Sequence, residues 1–138
     1  MHRRDFLALT AAVTLALPFA ARAEVLAYSP DLLEARLAAG EIVFLDFKAD
    51  WCGTCQAQGR VLAALKAENP AYEQKVTFID VDWDTWKADM IVAEMNIPRR
   101  STLVVLKGGE ELGRIVAGTG RDEIKALMDT ALAAAAGS

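Results

Sequence analysis

The chain has 138 residues, 54% hydrophobic and 25% charged, with a formal net charge of −4. That length suits one domain around one ordinary core, and the acidic balance argues against nucleic acid or an anionic membrane as the main partner. Nucleophilic side chains are scarce: there are two cysteines, Cys52 and Cys55, and one histidine, His2.

Residues 1–23, MHRRDFLALTAAVTLALPFAARA, read as a secretory signal peptide. They combine a basic start at Arg3 and Arg4, an apolar run from Phe6 to Ala21, and an A-x-A exit at Ala21-Arg22-Ala23. The run is too short for a comfortable membrane span, so no stable insertion is expected after cleavage. Arg3-Arg4-Asp5-Phe6-Leu7 resembles the twin-arginine export signal, with the general secretory route as the alternative. Cleavage leaves a domain at 24–138, expected in the periplasm. Three arginines and one aspartate depart, which moves the net charge from −4 to −6. His2 departs too, and with it any histidine base, metal ligand or triad member.

Next, EVLAY suits a short strand. SPDLLEARLAAG predicts a helix with Ser29 as N-cap, Pro30 at the first helical position and Gly40 as the stop. EIVFLDFK lacks strict alternation, as expected of a central strand covered on both faces. QAQGRVLAALKAEN continues as a helix with Val61, Leu62 and Leu65 inward, and Gly59 is a candidate bend. KVTFIDVD predicts a strand, and DTWKADMIVAEM one helix with Trp86, Met90 and Ala93 on a stripe. NIPRRS breaks the pattern. TLVVLK and EELGRIVAG form a hairpin around Gly108-Gly109. In RDEIKALMDTALAAAA, the residues Ile124, Leu127, Met128, Ala131, Leu132 and Ala135 share one helical face. The order is β-α-β-α-β-α-β-β-α, an α/β class.

Cys52 and Cys55 sit between the first long strand and its helix. A structural staple there closes too short a loop to stabilise much. At a helix N-terminus, unpaired N–H groups and the positive end of the dipole favour a Cys52 thiolate. Cys52 is then the attacking sulfur and Cys55, one turn inward and more buried, the resolving one. Gly53 is expected to let the chain turn and leave the attacking sulfur open, and Trp51 to offer an apolar docking surface.

FLDFKADWCGTC resembles the active-site segment of the thioredoxin family, and the element order over 24–138 is similar to the thioredoxin fold, a central mixed sheet flanked by helices. The resemblance implies a thiol–disulfide oxidoreductase whose only redox group is the Cys52–Cys55 disulfide, with no other cofactor and no metal. It implies that Asp46 is buried beneath the cysteines, with a raised pKa, to take the Cys55 proton. It places clients against Trp51, Gly53, Thr54, Ser101 and Thr102. Three positions depart from the family pattern. Ser101 stands where a cis-proline is usual, so either the loop changes shape or Ser101 holds strained backbone, and in both cases its hydroxyl is expected within reach of the sulfurs. Lys48 replaces a common tryptophan, its amine expected in water. Phe78 replaces a common lysine, expected to leave Asp46 in a more apolar setting. Trp83 and Trp86 are expected in the core or as a lid. Arg99 and Arg100 read as a solvated loop, or as charges that lower the thiol pKa if the loop faces Cys52.

The Gly-Thr dipeptide between the cysteines lacks the histidine of strongly oxidising DsbA-type proteins. The expected function is therefore reduction of disulfides in exported proteins, apocytochromes c among them, with electrons from a membrane conductor of the DsbD type. The alternatives are soft-metal (Cu(I)) or cluster binding, a thiol oxidase or isomerase, and a docking module whose cysteines cycle rarely.

Overall fold

The computed structural model describes residues 24–137, so the expected leader lies outside them. Five strands form one sheet in the order β1-β3-β2-β4-β5: β1 (Leu26–Ala27), β2 (Ile42–Lys48), β3 (Thr77–Asp82), β4 (Thr102–Lys107) and β5 (Glu110–Val116). The pairs β1–β3 and β3–β2 are parallel, whereas β2–β4 and β4–β5 are antiparallel. The helices are α1 (Pro30–Ala38), α2 (Gly53–Glu68), α3 (Ala71–Lys75), α4 (Trp83–Trp86), α5 (Met90–Glu94) and α6 (Arg121–Ala136).

β2 lies at the centre and is buried from Ile42 through Phe47. Its side chains alternate between two cores. Ile42 and Phe44 join Leu62, Leu65, Tyr72, Leu103 and Ile124 on the side of α2, α3 and α6. Val43, Leu45 and Phe47 join Ile79, Val81, Val104 and Tyr28 on the opposite face, with Leu33 and Leu37 of α1 packed against them. Both faces being covered explains why the strand reads as a continuous apolar run. Asp46 has the parity of Ile42 and Phe44, which aims it at the α2 side.

α1 starts as its caps predict: the Ser29 side chain accepts the Leu32 N–H, Pro30 follows, and Gly40 stands at φ +79 after the last turn. The α6 stripe is also as expected, with Ile124, Leu127, Met128 and Ala131 buried. Two expectations need correction. A single-turn helix, α3, precedes β3 and makes the order β-α-β-α-α-β-α-α-β-β-α. The segment expected as one helix after β3 is two, because Asp89 caps a new start by accepting the Ile91 N–H. The phase therefore shifts: Ile91 is buried while Met90 is 71% exposed, and Trp86 packs edge-on against Tyr28 at 5.0 Å. Gly59 makes no break, as α2 runs unbroken across it. Among the described residues no helix is long and apolar enough to cross a membrane.

Candidate active site

The site forms where β2 ends and α2 begins. Cys52 is the N-cap of α2 and takes its role from extended backbone, so its sulfur turns back to accept the Cys55 N–H at 3.2 Å. One of the otherwise orphaned donors of the helix start is thereby aimed at sulfur. Both cysteines are free, and each is only 2% exposed. This corrects the expected open sulfur: Ala49, Cys55 and Trp83 pack against Cys52. Gly53 is the exposed first residue of α2 and has no positive φ, so it is no turn residue. Open space lies over it. Thr54 is half-buried in the same turn.

The segment before β4 closes the site. None of the described peptide bonds is cis, and Ser101 stands at φ +63. The strained-backbone alternative is the one realised. A left-handed conformation costs an L-residue about 1–2 kcal/mol, and hydrogen bonds hold this one in place. Ser101 N–H donates to Phe47 O at 2.6 Å, while Ser101 O accepts from Ala117 N–H at 2.8 Å and from Gln58 Nε2 at 3.0 Å. The fixed backbone presents the hydroxyl to both sulfurs, with Oγ 3.2 Å from Cys52 Sγ and 3.0 Å from Cys55 Sγ. Thr102 is fully buried, and its hydroxyl donates to Arg99 O, so it braces the loop from within.

Electrostatics separate the two thiols. Burial pushes Cys52 up, but hydrogen bonds from the Cys55 thiol, the Ser101 hydroxyl, the Cys55 N–H and the Arg100 side chain outweigh it and bring the thiol down to about 6. Cys55 moves the other way, raised by burial and by its neighbour Cys52. Arg100 is thus no solvated loop residue: its guanidinium lies 4.3 Å over the Trp51 ring. Trp51 is 59% exposed and donates through Nε1 to Asp84 at 2.8 Å, which fixes an apolar platform beside the cysteines.

Asp46 is 7% exposed, and its Oδ1 has no hydrogen-bond partner. Burial first, then the charge of Asp80 in register on β3, raise its pKa from 3.8 to about 7; Lys48 and Lys66 oppose the shift. Two expectations change here. Lys48 Nζ lies 3.7 Å from Asp80 Oδ2 and so is not left to water alone. The lysine missing at Phe78 is supplied from α2, because Lys66 Nζ sits 3.9 Å over the Phe78 ring and acts on Asp46 from there. These residues line a cleft of about 520 Å³ with both polar and apolar walls.

Sequence reasoning missed Gln58. It is fully buried and its Nε2 ties Ser101 O to Gly118 O at 3.0 and 2.9 Å, linking the cysteine helix to both ends of the hairpin. Its spacing from Cys55 and Leu62, three and four residues along the inward face of α2, was the available signal. For a cation, no group of three or more His, Cys, Asp or Glu side chains is gathered among the described residues.

A thioredoxin family model matches residues 24–130. The chain is 33% identical over 86 residues to a thioredoxin of Echinococcus granulosus, covering 62% of this chain and 75% of that one. It is 36% identical over 81 residues to the mitochondrial thioredoxin-2 of Schizosaccharomyces pombe, covering 59% and 56%. Among solved structures, Trxlp from Edwardsiella tarda superposes with a TM-score of 0.64 at 32% identity, over 77% of this chain and 96% of that one. A Malassezia sympodialis thioredoxin gives 0.66 at 28%, over 78% and 93%.

Proposed function

The chain belongs to the thioredoxin family and is a thiol–disulfide oxidoreductase with a Cys-x-x-Cys pair, and on that premise we propose that it reduces disulfides of exported proteins. In this reading Cys52 attacks a client disulfide, forming a mixed disulfide. Cys55 then attacks Cys52 and releases the reduced client. Asp46, through water in the adjoining cleft, takes the proton that Cys55 sheds.

The carrying observation is the asymmetry of the two thiols: Cys52 is lowered to about 6 and Cys55 is raised. At neutral pH the first is thiolate and the second remains protonated until it is needed. Direction depends on how far the attacking thiolate is stabilised, and the Gly-Thr dipeptide between the cysteines lacks the histidine of strongly oxidising DsbA-type proteins. The exposed Trp51 platform offers clients an apolar contact. The leader pattern of residues 1–23 supports export to the periplasm, and apocytochromes c are a client class suited to that compartment. A membrane electron conductor of the DsbD type is the donor proposed to restore the dithiol.

The test equilibrates the domain in defined thiol/disulfide buffers and follows reduction of a protein disulfide. A potential in the thioredoxin range, about −270 mV, with activity lost in Cys52→Ser, supports the reductase. A potential near the DsbA value of about −120 mV reverses the direction of electron flow and overturns it.

A further inference from the structure

The Ser101 hydroxyl has one proton to donate and two sulfurs in reach, 3.2 and 3.0 Å away. Its backbone is held by three hydrogen bonds, so the side chain can turn about one bond without the loop moving. We propose that Ser101 is a catalytic two-position donor, giving its O–H first to the Cys52 sulfur and then, once Cys52 is consumed, to the Cys55 sulfur. The inference rests on the reading of Cys52 as attacker and Cys55 as resolver, and adds what makes the second attack competent.

In the reduced protein the hydroxyl donates to the Cys52 thiolate, which also accepts the Cys55 S–H. Cys52 attacks: a bond forms between its sulfur and one client sulfur, the client disulfide breaks, and the second client sulfur leaves with the electron pair and takes a proton from water. Cys52 is now a neutral disulfide sulfur, a poor acceptor. The O–H is released from it and turns to Cys55, which gives its own proton to Asp46 and becomes a thiolate held by that hydroxyl. Cys55 then attacks Cys52, the Cys52–Cys55 bond forms and the mixed disulfide breaks. The client sulfur leaves with the pair and is protonated by water. Two electrons have passed from the pair to one client disulfide.

The other donors bearing on these sulfurs each serve one: the Cys55 N–H and Arg100 act on Cys52, and the Ala49 N–H acts on Cys55. Among the described residues, Ser101 is the one side chain besides the cysteines that hydrogen-bonds to both.

The experiment compares wild type, Ser101→Ala and Ser101→Gly. Glycine suits the positive φ and alanine keeps the Cβ, so a backbone effect would separate the two variants. Reduced protein is mixed with a symmetric aromatic disulfide that releases a coloured thiolate. The first equivalent reports attack by Cys52 and the second reports resolution by Cys55. Loss of a hydrogen bond to a charged sulfur is expected to raise the Cys52 pKa, read from pH-dependent alkylation, by about one unit, and to slow the second release about tenfold in both variants. A change confined to the first release overturns the two-position role. So does a glycine variant that behaves as wild type. If wild type itself releases no second equivalent, the attacker–resolver reading fails and takes the inference with it.

Discussion

Replacing Asp46 by asparagine should remove a pH dependence from the stability of the reduced protein. The carboxyl's pKa is raised in the folded state from 3.8 to about 7, by burial first and by Asp80 second. Between those values the folded chain holds a proton that the unfolded chain has lost, so the stability contributed by the protonated form is fully present below about pH 4 and is lost as pH rises through about 7. Each pH unit is worth about 1.4 kcal/mol, so the interval carries about 4 kcal/mol. Urea unfolding at a series of pH values between about 4 and 8, with reductant present, measures it. Groups common to both proteins cancel in the difference. Wild type should lose about 4 kcal/mol relative to Asp46→Asn across the range, most of it below about pH 7. Parallel curves would show that Asp46 ionises as an ordinary carboxylate, and the reasoning from burial would be wrong.

Two further outcomes follow from the same cleft and its neighbour. Asp80→Asn removes the charge in register with Asp46 and should lower the Asp46 pKa, which a carboxyl-resolved NMR titration detects; an unmoved titration would show that the Asp80 charge does not contribute. Gln58→Ala removes the donor to Ser101 O and Gly118 O inside the protein and should cost about 1–3 kcal/mol in urea unfolding. A loss below about 0.5 kcal/mol would mean that the two carbonyls are satisfied without it.

What the sequence made legible is what local chemistry decides. Ser29 and Pro30 mark the start of α1, the unalternating IVFLDF marks a strand with both faces covered, and the α6 stripe marks a buried face. The cysteine spacing located the reacting pair. What it hid depends on chain segments far apart. Asp89 stood inside the stretch expected as one helix, yet its side chain caps a new one. The absent lysine at Phe78 could be read, but not its replacement by Lys66 across that ring, because the pairing of α2 with β3 is tertiary. Ser101 could be seen to replace a proline. Its left-handed backbone comes from bonds to Phe47, Ala117 and Gln58, none of them near it in sequence.

That dependence on distant partners has a consequence for when the sulfur becomes reactive. The Cys55 N–H reaches Cys52 from three residues away, but the Ser101 hydroxyl comes from 49 residues further along the chain. Arg100 belongs to the same late segment. Until the segment carrying both has docked, Cys52 has only the two donors from Cys55, and the rest of its thiolate stabilisation waits on the late half of the chain.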